Sequence, residues 1–231
     1  MAIQNFDKLN IVKRRSLPYK EYYGDMKLTP KQRKDREDLA LILEDYIMLF
    51  FDLIQSGANE IAIRQEMTYE LYKIVDDKGY FEDEEQADKY VADTVKNTYD
   101  STVDNLAKHP NDVSEYDVEK VADTDETPKQ YWVSDDRAMF IAENEANTLF
   151  NSKEYIEAKE KGYTHKIWMA YPDDRVRPTH EETNGAKVPI GVYFDVGNAR
   201  MLYPKDITSE FSTGAEYPEE YINCRCTVVY V

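Results

Sequence analysis

Cysteine is scarce in this sequence. Its 231 residues hold two, Cys224 and Cys226, separated by a single position. Such a pair cannot staple a fold, which excludes a disulfide scaffold and points to free thiols in a reducing cytoplasm. Histidine is almost as rare, at three. Positive charge is in deficit: 29 Lys and Arg face 46 Asp and Glu, a formal net charge of −17. That balance excludes broad contact with DNA through phosphate neutralisation, and it excludes a polybasic membrane anchor. Long apolar runs are missing as well. The most apolar one, Tyr46 to Phe51, lies between Asp45 and Asp52. It is far too short to span a bilayer, and the N-terminus lacks the apolar core of a secretory signal. No internal repeat is visible.

What is present is mostly helical. Residues 1–28 read as an irregular basic arm in which Lys8, Lys13, Arg14, Arg15 and Lys20 alternate with tyrosines. Thr29-Pro30 is a helix start, a capping hydroxyl followed by a proline whose missing N–H does no harm there. The helix is expected to run to Ser56, with Gly57 as its left-handed stop. Leu39, Leu43, Tyr46, Phe50 and Leu53 form an apolar stripe at helical spacing. Leu41, Ile47, Met48, Leu49 and Phe51 fill other faces, so this helix calls for cover on several sides, from its own domain or from a partner. Further helices are expected over Asn59–Val75 and Asp83–Ala107, ended near Gly79 and by His109-Pro110.

From Asp76 to Glu126 seventeen acidic residues stand against five lysines. Residues 111–131 therefore read as an acidic, solvated linker and a domain boundary. Ser134 caps a long helix over Asp135–Lys161, in which Glu145 is expected to pair with an arginine or to reach solvent. Strands are expected at Thr164–Ala170, Val188–Phe194 and Thr227–Val231. The fold class is α+β: a helical region over 29–110, then a small domain over 132–231 with one long helix and a short antiparallel sheet.

The chemistry-bearing residues gather at the two ends of the last segment. In extended chain Cys224 and Cys226 point to the same side, so His180, brought across, would complete three N/S ligands for zinc. The other reading makes the thiols small buried apolar groups, with His180 bonded inside its turn. No orienting third residue or oxyanion loop supports a cysteine nucleophile. A carboxylate nuclease using His180 with Asp173, Asp174 or Glu145 is the enzymatic alternative.

One combination is more specific than its parts. Arg137, Ile141-Ala142 and Glu145 precede Lys166-x-Trp168. Asp174-x-x-x-Pro178-x-His180, Asn184-Gly185, Tyr203-Pro204 and Asn223-Cys224-Arg225-Cys226 follow. Over residues 132–231 this pattern resembles the Mu F-like minor head proteins of tailed bacteriophages, the phage head morphogenesis family. The resemblance implies a non-enzymatic virion component, made in the host cytoplasm and placed at the portal vertex or capsid interior. Its role would be head assembly or genome ejection, with portal or major capsid protein as partner.

Packaged DNA would be met, if at all, through Lys13, Arg14 and Arg15. Many relatives carry Cys-x-x-Cys where this chain has Arg177 to His180, and His-Pro where it has Tyr221-Ile222. The expectation is therefore no cofactor, zinc at His180, Cys224 and Cys226 being the alternative and Arg177 a substitute cation paired with carboxylates. With Val231 soon after Cys226, none of the toxin or nuclease extensions of some relatives is expected.

Overall fold

A computed structural model describes residues 9–12, 22–23, 26–76, 78–124 and 126–231. Lys8, Lys13, Arg14, Arg15 and Lys20 of the basic arm lie outside the described residues. Helix α1 spans Pro30–Gln55. Its start is a reciprocal cap: the Gln32 amide donates to Thr29 Oγ1, and the Gln32 side chain accepts from the Thr29 amide. Helices α2 (Glu60–Val75) and α3 (Glu84–Lys108) follow, opened by the Asn59 and Asp83 side chains. Each stops where periodicity and caps place it, within a residue or two.

The long helix α5, Asp135–Glu160, packs along α1. Leu39, Leu43, Ile47 and Phe50 of α1 meet Ala138, Ala142, Ala146 and Leu149 of α5 in one core that also takes in α2 and α3. Alanines at that spacing let the two backbones approach closely. Ile47 and Phe51 are buried here, whereas Leu41 and Leu49 remain exposed, so the cover expected all round α1 is partial within the chain. The core is thus shared by residues on both sides of segment 111–131.

That segment carries more structure than its charge suggested. Strand β2 (Asp112–Ser114) pairs in parallel with β1 (Asn10–Val12), and helix α4 covers Glu115–Val121. Two of its acidic side chains, Asp112 and Asp117, are buried and serve local donors instead of water. Asp112 accepts from the Asn10 amide at 2.7 Å, and Asp117, buried, accepts from the Lys129 N–H. Val113 and Val121 are buried too.

The C-terminal part is a three-stranded antiparallel sheet in the order β4-β3-β7, from Lys187–Pro189, His165–Met169 and Thr227–Tyr230. The single strand expected over 188–194 is two: β4 ends at Pro189, and after a turn β5 (Phe194–Val196) pairs with β6 (Ala199–Met201). Proline cannot extend the ladder, which is why the chain turns there. Short helices α6 (Pro178–Thr183) and α7 (Pro218–Tyr221) complete the fold. Helices with small antiparallel sheets make this an α+β protein.

Candidate functional site: the closing motif and its clamp

Three segments meet at the site. Pro178 starts α6, which carries His180 inward and leaves it buried. Cys224 and Cys226 lie on the approach to β7, also buried and free. His180 Nδ1 is 3.3 Å from Cys226 Sγ and 3.5 Å from Cys224 Sγ. The opposite ring nitrogen, Nε2, faces Glu220 Oε2 at 3.2 Å. Trp168 of β3 closes one wall, its ring edge-on to His180 at 5.7 Å. The imidazole and the two thiols are therefore brought together, as the spacing of the motif required.

Within this trio each group shifts its neighbours. Burial opposes charge on Cys224, but hydrogen bonds from Cys226 and His180 and the nearby charges of His180 and Lys205 hold its thiol well below the usual range. Cys226, bonded to Cys224 and buried, is pushed up. Burial lowers His180, yet its bond to Cys224 outweighs that and the imidazole rises.

These atoms fit part of a zinc site. With Zn–S of about 2.3 Å and Zn–N of about 2.0 Å, tetrahedral ligand atoms sit roughly 3.5 Å apart. The two N···S separations match that edge. Glu220 stands where a carboxylate orients a metal-bound histidine through its other nitrogen. Among the described residues this is the one grouping of three or more His, Cys, Asp or Glu side chains close enough to hold an ion. It offers three ligands, so a fourth position would be open to water.

Helix α5 supplies the clamp, a feature the sequence reading missed. Asn144, Asn147 and Asn151 recur at helical spacing on one face, aimed at the closing motif. Asn147 donates to the carbonyls of Cys224 at 3.1 Å and Cys226 at 3.5 Å. Asn151 donates to Pro204 and Cys226 at 3.2 and 3.3 Å. Asn144 accepts from the Asn223 amide at 2.8 Å and from buried Lys205. Asparagines three and seven positions apart on one helical face were the available signal. From α1, buried Arg36 reaches the same face: it contacts Asn147 and grips Glu154 through two bonds of 2.9 and 2.8 Å.

The remaining motif residues have separate duties. Asn223 sits at φ +59, a left-handed turn that asparagine tolerates. Asn184 accepts from the Ala170 amide at 3.0 Å, and Gly185, at φ +80, donates to the Trp168 carbonyl. Gly197 is also required: a Cβ there would lie 2.2 Å from Glu220, the partner of His180.

Arg177 donates to the Ile222 carbonyl instead of pairing with a carboxylate. Arg137 lies 5.5 Å from the Trp132 ring and 5.2 Å from the Phe140 ring. Glu145 accepts from the Tyr90 hydroxyl and the Asn144 amide, each at 2.9 Å, and not from an arginine. Asp174 is exposed, while its neighbour Asp173 binds Arg175 and Arg225.

The profile described as Phage Mu protein F like protein matches residues 50–229, most of the chain and all of the site. The chain belongs to the phage Mu protein F-like family. The family is one of phage head morphogenesis, so a place with the virion follows at that level. A stretch of 99 residues is 32% identical to the NAD(+)–arginine ADP-ribosyltransferase EFV of Enterococcus faecalis (strain ATCC 700802 / V583). The match covers 41% of this chain and 19% of that protein. No solved structure matches the chain. Among the described residues no helix is long and apolar enough to cross a membrane.

Proposed function

We propose that this protein is a non-enzymatic minor component of the phage head, docking on portal or major capsid subunits and acting in head assembly or genome delivery. The observation that carries this reading is the family match over residues 50–229, which takes in α2, α3, α5 and the closing motif. The geometry supports it. Asp174 points to solvent, Asp173 is occupied by arginines and Glu145 by neutral donors, so the carboxylates of a hydrolase are dispersed. Contact with packaged DNA through Lys13, Arg14 and Arg15 belongs to the same proposal. Mass spectrometry of purified particles tests it: the chain is expected in virions at low copy, and its restriction to the cytosol of infected cells would refute the assignment.

A second reading concerns the closing motif alone. We infer that His180, Cys224 and Cys226 hold a structural zinc ion, on the strength of the two N···S separations and the Glu220 bond. The ion would cross-link α6 to the start of β7. Elemental analysis of gently purified protein should find zinc near one equivalent, and less than about half an equivalent would reject it.

A further inference from the structure

A groove of about 950 Å³ opens between the first half of α1, the end of α2 and the flank of α5. That volume lies at the upper end of the ~300–1,000 Å³ range of pockets that enclose compact ligands. Its apolar surface includes Leu39, Ile42, Ile74, Tyr80 and Phe150. Tyr80 and Phe150 meet edge-to-face at 5.7 Å, a rigid aromatic platform. Ile42 is 53% exposed, an apolar side chain left facing water beside that platform.

The rim runs against the charge of the whole chain. Five lysines line the groove with four carboxylates, on a protein of net charge −17. Each carboxylate already has a cation: Asp35 has Lys31, Asp38 has Lys34, Glu154 has Arg36, and Glu157 has Lys161. Lys78 and Lys153 have no carboxylate partner among the described residues. Lys153 donates to the Lys78 carbonyl at 3.0 Å and lies 5.3 Å from the Tyr80 ring centroid. Two lysines without a carboxylate partner thus line a groove whose exposed apolar side chain, Ile42, lies beside the buried Tyr80–Phe150 pair. Duplex DNA is a poor occupant, because its run of phosphates would extend past these two lysines over a protein of net charge −17.

Resting on the head-protein reading, we infer that this groove receives an acidic segment of another head protein. An apolar side chain of that segment seats on Ile42 at the edge of the Tyr80–Phe150 pair, and its carboxylates pair with Lys78 and Lys153. Opposite charge at such a rim mainly sets partner choice and encounter rate.

Particles assembled with a photoreactive residue in place of Ile42 test the inference. Irradiation should link the chain to a segment of a different head protein with Asp or Glu beside the linked position. The K78E/K153E variant should enter particles about tenfold less, a difference of about 1.4 kcal/mol in binding. K78R/K153R should enter normally, and circular dichroism should show both variants folded. With the chain present in particles, cross-links only to DNA, to a second copy or to nothing would overturn the groove and leave the head assignment standing. So would normal entry of K78E/K153E. Absence of the unaltered chain from particles would overturn both.

Discussion

Asn147→Ala tests whether the asparagine face of α5 holds the closing motif in place. Asn147 is fully buried and donates to two carbonyls while accepting from Arg36. In the alanine variant the Cys226 carbonyl keeps its Asn151 donor, but the Cys224 carbonyl has none among the described residues. A buried acceptor left without a donor costs about 1–3 kcal/mol. Loss of the long contact to the charged Arg36 adds up to ~1 kcal/mol. The expected destabilisation is about 2–4 kcal/mol. At a urea dependence of about 2–3 kcal/mol per molar, the midpoint should fall by roughly 1 M. Thiol titration supplies a second readout, because a loosened motif should expose Cys224 and Cys226 to reagent sooner. Asn97→Ala, on the exposed side of α3, serves as control and should stay within ~0.5 kcal/mol of the parent. A loss under about 1 kcal/mol with unchanged thiol reactivity would refute the clamp.

Three further outcomes follow from the same contacts. Arg36→Ala leaves Glu154 half-buried without its cation and should lose about 3 kcal/mol in urea unfolding, whereas R36M/E154L should lie within ~1 kcal/mol of the parent. Glu143, buried with no hydrogen-bond partner among the described residues for either oxygen, has its carboxyl pushed from 4.5 to about 9, chiefly by burial, with Glu44 and Asp136 adding to it. A raised folded value means that the folded state holds the extra proton, so stability falls as pH rises between those two values. The slope is at most about 1.4 kcal/mol per pH unit, and denaturation curves from pH 5 to 8 should show Glu143→Gln removing it. Gly197→Ala should strain a φ of +59 and displace Glu220, destabilising the fold by at least ~1 kcal/mol. It should also shift the His180 ring signals in NMR.

The ends of α1, α2, α3 and α5 were legible because caps and stops act within a turn of the chain: Thr29 on Gln32, Ser134 on Arg137, Gly57 and Gly162 in left-handed turns. The meeting of His180 with Cys224 and Cys226 was legible for a related reason. Residue spacing in extended chain gives the thiols one direction, and few other partners exist in a sequence so poor in Cys and His.

What remained hidden depends on segments far apart in the chain. Glu220 meets His180 across 40 positions, Asn147 meets Cys224 across 77, and Arg36 meets Glu154 across 118. No local pattern states which faces will cross. Within the acidic stretch 111–131 the burial of Asp112 and Asp117 was hidden for the same reason, since Asn10, Lys129 and a parallel strand receive them. The sequence alone determined the four long helices, the fold class and the family. Only the packing of α5 between α1 and the closing motif decided how that motif is held, because a buried polar side chain takes its partner from whatever tertiary neighbour replaces water.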